Sequence, residues 1–403
     1  MIERQIRNFL EDFRVRNPLP LKVVLWNGIE VPLSDAPTVT LTLRTPQSAR
    51  HLLKPTMDSL GEAFVEGMVD VDGPIRSVLE VAEGLARDQD RRSGQGALPN
   101  WFRHTRKSDR KAIEYHYDVS NAFYALWLDP AMVYSCAYFA AEDDDLATAQ
   151  TRKLDHVCRK LLLSPGQTLL DIGCGWGALV IHAAKHYGVR ATGITLSQNQ
   201  FELATERVRT AGLAGRVEIR LQDYRDVPGE AVFDRISSIG MFEHVGLKNL
   251  REYFDILHRL LKPGGITLNH GITSADSESR SVGLGAGEFI DRYVFPDGEL
   301  PHVSLAIREL SAAGLELTDA ESLRRHYART LWCWSDAFEA NLPKLEALAG
   351  GRRARIWRVY LAGCAHAFAN NWINLYQLQA IRPAAGPGGA LSPLPMTRDY
   401  MYR

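Results

Sequence analysis

A chain of 403 residues, 45% hydrophobic and 24% charged, has material for two or three domains with ample cores. Its formal net charge of −1 gives no overall field for nucleic acid or a membrane surface, so any such attraction must be local. Nowhere do about 18 apolar residues run together, which excludes a membrane-spanning helix, and the five scattered cysteines, none in a C-x-x-C pair, argue against a disulfide framework or a structural zinc site.

In chain order, MIERQIRNFLEDFRVRN mixes charges with apolar residues at helical spacing, unlike a signal peptide, so a cytoplasmic location is expected. LKVVLW and VTLTLR read as strands, and SARHLLK and SLGEAFVEG as helices, which makes residues 1–90 a small α+β unit. From residue 86 the pattern breaks. RDQDRRSGQGALPN is polar and glycine-bearing, and residues 91–111 are expected to form a linker ending in the basic stretch WFRHTRKSDRK. Its five cations beside Trp101 and Phe102 suit either a solvated linker or contact with anionic headgroups, the latter at about 1 kcal/mol per basic residue near a surface.

Residues 112–382 alternate strands with helices, the mark of an α/β domain with a mainly parallel, doubly wound sheet. TLLDIG, RATGIT, VEIRLQ, FDRISSIG and GGITLNH read as its buried strands. A helical insertion is expected at about 275–315, WRVYLAGCAHAFANNWINLYQL reads as a helical C-terminal region, and residues 383–403 as a tail rich in Gly and Pro.

The segment Asp171-Ile-Gly-Cys-Gly-Trp-Gly follows the first of these strands and opens a helix. Gly173 and Gly175 allow a tight turn and close approach of the backbone to a ligand. Gly173, Gly175 and Ala178 also satisfy the dinucleotide fingerprint G-x-G-x-x-A, so the loop by itself is ambiguous. A nicotinamide site expects an acid at the end of the second strand, and that strand ends Gly193-Ile-Thr-Leu-Ser. An acid just before the loop, Asp171, suits a methyltransferase instead, where it holds either the loop or a methionyl ammonium. Gln200 can both donate to and accept from ribose hydroxyls, and Gln222-Asp223-Tyr224, after the third strand, is positioned to meet an adenine.

Tyr115-His-Tyr-Asp-Val-Ser, Tyr134-Ser-Cys-Ala-Tyr-Phe, DIGCGWGA, Thr195-Leu-Ser-Gln-Asn-Gln, Met241-Phe-Glu-His-Val-Gly, His270-Gly-Ile, Tyr327-Ala-Arg-Thr-Leu and Leu361-Ala-Gly-Cys-Ala-His-Ala-Phe follow one another in this order. Together they resemble the cyclopropane-fatty-acid synthase family, which includes the mycolic acid cyclopropane synthases. The N-terminal unit resembles the accessory domain of the phospholipid-acting members. The resemblance implies a class I methyltransferase fold, Rossmann-like, and S-adenosylmethionine held by Tyr134, Ser135, Asp171, Gly173, Gly175, Thr195, Leu196, Gln200, Gln222 and Asp223.

It also implies a reaction. An isolated cis-alkene is a feeble nucleophile, so the sulfonium methyl must be held in line with it in a dry pocket. Methyl transfer leaves a cation, and loss of a proton from the new methyl closes a cyclopropane ring. The family uses bound bicarbonate as the base. Carried over, its shell would be the backbones of Cys136 and Ile272 and the side chains of Glu243, His270 and Tyr327. Glu243 would share a proton with the anion, since two bare carboxylates repel.

Cys364 lies in an apolar helical run without an obvious base, which favours packing over a nucleophilic role. The sequence departs from the family at Asn370-Asn371-Trp372, and Gln222-Asp223 replaces a Trp-Glu pair of the mycolic acid branch. The expected substrate is an unsaturated phospholipid acyl chain, met peripherally at the inner face of the membrane; a homodimer is left open, and no nucleic-acid partner is expected. A methyl-branched or methylene product is the alternative outcome of the same first step. A lipid-binding protein without turnover would have no use for a base.

Overall fold

The computed structural model describes residues 2–93, 120–279, 286–294, 299–384 and 394–402. The basic stretch at residues 101–111, the segment 115–119 and residues 385–393 of the Gly- and Pro-rich tail lie outside them; the end of that tail instead packs on the domain, with Met401 buried and Arg398 paired with Asp319.

The N-terminal unit comprises α1 (Ile2–Arg16), β1 (Leu21–Val24), β2 (Glu30–Pro32), β3 (Val39–Leu43), α2 (Ala49–Leu53), α3 (Met57–Val65), β4 (Val69–Asp72) and α4 (Ile75–Ser93). Its four strands are ordered β2-β1-β3-β4. Alternating burial in β1 and β3 turns Leu21, Val23, Val39, Leu41 and Leu43 to one core, shared with Ile6, Leu10 and Phe13 of α1. Residues 86–93, read above as the start of a polar break, instead continue α4. Arg and Gln are competent helix residues once an apolar stripe, here Val78, Val81 and Leu85, anchors the preceding turns.

The larger unit runs α5 (Asn121–Ala125), α6 (Leu146–Lys160), β5 (Thr168–Ile172), α7 (Ala178–Tyr187), β6 (Arg190–Thr195), α8 (Gln198–Thr210), β7 (Val217–Leu221), β8 (Phe233–Ile239), α9 (Leu250–Leu260) and β9 (Leu261–Ser274). It continues with α10 (Ala286–Tyr293), α11 (Val303–Ala312), β10 (Glu316–Ser322), α12 (Arg324–Ala340), α13 (Leu342–Ala349), α14 (Gly351–Ala369) and β11 (Ile373–Ile381). The sheet order is β10-β11-β9-β8-β5-β6-β7, with β11 running against its two neighbours. Helices cover both faces: Val157, Val180 and Ala183 pack on one, Phe254, Leu257 and Leu310 on the other. The chain winds outward from β5 in both directions, which opens a crevice at the carboxyl ends of β5 and β8.

The C-terminal region is not helical throughout. α14 stops at Ala369, and Asn371 takes the left-handed conformation with φ of 59°. The Trp372 N–H then donates to Ala367 O and the Asn371 N–H to Phe368 O, a Schellman termination with asparagine in the usual glycine place. INLYQLQAI becomes β11, inserted between β9 and β10. Buried Gln377 and Gln379 at its inward positions mask the strand alternation.

α14 also joins the two units. Arg355 donates to Phe64 O and pairs with Asp70, Arg352 pairs with Glu66, and His366 meets Glu83 at 2.7 Å in a buried contact. Gly61 of α3 has no side chain to keep Phe289 away; a Cβ there would lie 2.9 Å from that ring.

Candidate active site

The crevice is built first by the loop after β5. Gly173, Gly175 and Gly177 have φ of 78°, 54° and 81°, so the chain turns left-handed three times in five residues. The N–H groups of Gly173 and Cys174 both donate to Ile194 O and tie the loop to β6. Gly175 lines the cavity, and a Cβ built on it meets no protein atom within 4 Å. The backbone there faces room that any side chain would take.

All ten residues expected to hold the cofactor line this one cavity: Tyr134, Ser135, Asp171, Gly173, Gly175, Thr195, Leu196, Gln200, Gln222 and Asp223. Asp171 is buried, and burial pushes its carboxyl up to about 6 against the hydroxyl of Ser237, which donates to it at 2.7 Å. Gln200 accepts from the Thr195 hydroxyl at 2.7 Å. Gln222 and Asp223 sit at the rim with side chains engaged in their own turn. Gln222 donates to Asp226 O, and the Asp223 carboxylate takes Nε and Nη2 of Arg225. Lys153, Trp176, Met241 and His244 also line the cavity, although none of them was expected to hold the cofactor. For Lys153 a signal existed: Gln150, Lys153, Val157 and Lys160 follow the buried stripe of α6, so three polar residues occupy core positions.

The second group lies beyond this cavity. His270 and Ile272 alternate on β9 and therefore share a sheet face. The turn at Phe242–His244 packs against this strand; a Cβ at Gly271 would meet the Phe242 ring at 2.6 Å. Glu243 Oε1 accepts from the Ile272 N–H at 2.7 Å. The backbone N–H of Ile272, expected to serve an anion, is thus used by Glu243. Burial pushes the Glu243 carboxyl up to about 7, and its Oε2 is buried without a hydrogen-bond partner. His270 is held neutral by burial and by the positive charges of Lys153 and Lys160. Gln377 Nε2 stands 3.1 Å from its Nδ1; donating there, it leaves the ring proton on Nε2, also buried and without a partner.

Tyr327 on α12 is buried near Tyr360, Cys136, Glu243 and Cys364, and its phenol is held well above the usual range, first by burial. The Cys136 thiol donates to Ala137 O at 3.2 Å, and burial holds it protonated. Cys364 packs against the aromatic cluster of Phe123, Trp127, Trp334 and Trp357, and burial pushes its thiol up to about 12. A thiol so held is not a nucleophile at neutral pH.

The Mycolic acid cyclopropane synthetase family model matches residues 104–378. The chain belongs to the cyclopropane synthase family. A domain family of unknown function matches residues 9–89. This family member is 48% identical to a probable fatty acid methyltransferase of Pseudomonas putida, over 96% of this chain and 97% of the relative. It is 35% identical to the cyclopropane-fatty-acyl-phospholipid synthase of Escherichia coli K12, over 86% and 89% of the two chains. The mycolic acid cyclopropane synthase CmaA1, solved with SAH and CTAB, superposes with a TM-score of 0.64 at 36% identity, over 68% of this chain and 98% of that one. The fold of this cyclopropane synthase family member is therefore that of the class I S-adenosylmethionine methyltransferases, and the protein is a methyltransferase of that kind. The open space at Gly175 and the buried Asp171 carboxyl fit the methionyl end of that cofactor. Among the described residues no helix is long and apolar enough to cross a membrane.

Proposed function

We propose that the protein transfers a one-carbon unit from S-adenosylmethionine to the cis double bond of unsaturated phospholipid acyl chains and closes a cyclopropane ring, with bicarbonate as base. The observation that carries this reading is the pair of buried, unpartnered atoms Glu243 Oε2 and His270 Nε2, each of which leaves a costly polar group waiting for a ligand. An oxyanion that both accepts and donates suits them: His270 Nε2–H donates, and Glu243, raised to about 7, shares a proton. The Tyr327 phenol stays protonated and can donate as well.

S-adenosylmethionine supplies an electrophilic methyl when bound, and bicarbonate supplies a weak base that does not trap a cation irreversibly. The chain's own part is to orient both and exclude water. The cluster of Phe123, Tyr124, Trp127, Trp334, Trp357 and Phe368 supplies an apolar wall against an acyl chain. A substrate in a bilayer requires work at its surface, and we read the basic stretch at residues 103–111 as the contact with the inner face of the membrane. A second reading, a methyl-branched or methylene product, is favoured by the name of the relative at 48% identity.

Labelled S-adenosylmethionine and vesicles of unsaturated phospholipid test the proposal. Mass analysis should show acyl chains heavier by one CH₂, and NMR should show cyclopropyl protons. Stripping dissolved carbon dioxide should lower turnover, and added bicarbonate should restore it. Vinylidene or branched-methyl signals instead would establish the second reading, and indifference to bicarbonate would remove the anion from the site.

A further inference from the structure

Lys153 is a cation in the wrong place for a solvated side chain. It is 1% exposed, lies in the middle of α6, and lines the cavity next to Ser135 and Asp171. Its ammonium has three protons to donate, and the Ser135 hydroxyl takes one at 2.9 Å. Burying a charge is costly unless a counter-charge or strong hydrogen bonds offset it. Asp171 does not close the account: its Oδ1 is engaged by the Ser237 hydroxyl, and Lys153 acts on it only through space. The cavity wall therefore carries an ammonium on α6 and a carboxyl at the end of β5, each steadied by a hydroxyl.

We propose that Lys153 binds the α-carboxylate of the methionyl group, so that with Asp171 it reads the amino-acid zwitterion of the cofactor. A wall with one positive and one negative group is complementary to a ligand end bearing an ammonium and a carboxylate. The assignment rests on the cofactor reading above but not on the product or the base. It also gives a reason for a lysine where a methionine would pack: burial holds the amine down at about 8, and a carboxylate arriving beside it favours the charged form. The other groups acting on it are Cys136 and Asp129 from the preceding loop, Cys158 on α6, Asp171 on β5, and His270 on β9, whose ring Lys153 in turn keeps neutral.

Calorimetry with S-adenosylhomocysteine and with its decarboxylated analogue, which keeps the amine, tests this. Lys153→Met should weaken the first by about 10- to 100-fold, the loss of one or two charge-assisted hydrogen bonds, and leave the second within about twofold. Should that variant not fold, the parent protein answers in buffers of different ionisation enthalpy near pH 8.5. It should take up protons on binding S-adenosylhomocysteine, and fewer on binding the analogue. Equal loss of both ligands, or equal proton uptake with both, would show that Lys153 only supports the wall and overturn the assignment. A parent that binds neither ligand would overturn the cofactor reading with it.

Discussion

Glu243 is set by two opposed effects of unequal size. The Ile272 N–H favours its charged form, burial disfavours it, and burial wins, moving the carboxyl from 4.5 to about 7. Because the folded value is the higher one, the folded chain binds more protons than the unfolded chain between those limits, so stability falls as pH rises through that window. Glu243→Gln keeps an acceptor for the Ile272 N–H and removes the charge. Its melting temperature relative to the parent should therefore rise from pH 4.5 to pH 8, by the equivalent of about 3 kcal/mol at about 1.4 kcal/mol per unit. The same variant should turn over about 10²–10³ times more slowly, as should Tyr327→Phe, with affinity for S-adenosylhomocysteine unchanged. A stability difference independent of pH would mean that Glu243 is not held protonated by burial.

At the scale of the element, α14 carries two faces with different tasks. Trp357, Leu361 and Phe368 belong to the aromatic cluster, while Arg352, Arg355 and His366 reach the N-terminal unit. Cys364 packs with the first set, and a thiol pushed up to about 12 leaves almost no thiolate at pH 7. Cys364→Ala should accordingly keep turnover within about threefold and cost about 1 kcal/mol of stability for the buried atoms it removes. Loss of all turnover in a variant that still melts cooperatively would make this sulfur part of the chemistry. The termination of the helix at Asn371 shows how one left-handed residue decides where nineteen helical residues give way to a strand.

At the scale of the molecule, the His366–Glu83 contact is buried between the two units, where solvent cannot replace a lost partner. Glu83→Ala should lower stability by about 1–3 kcal/mol through the orphaned imidazole. The double change Glu83→Leu with His366→Phe, which removes both polar groups, should recover most of it. Thermal melts of the three variants check this, and equal loss in the single and double variants would show that packing volume, rather than the polar pair, holds this joint. The exposed pair of Arg76 with Asp336 across the same joint should contribute under about 1 kcal/mol and weaken with salt.

Period and local motifs were enough to locate five parallel strands and the glycine loop, because a βα loop and its strand ends follow one another in the chain; the ten residues expected at the cofactor came with the family resemblance, and all of them line one cavity. Strand β11 was hidden, since its inward glutamines find their partners only on other elements: Gln379 at Lys160 O and Tyr400, and the Gln377 amide nitrogen at His270. Lys153 left only its place among the polar residues on the inward stripe of α6 as a trace in the sequence. A lysine on a helix stripe is a surface residue until tertiary packing buries it, and only then do desolvation and the neighbouring carboxyl give it a ligand to wait for. The order of residues thus determined the fold and the first wall of the site. The state of its titrating groups was decided by folding, because burial is a property of the assembled molecule and of no single segment.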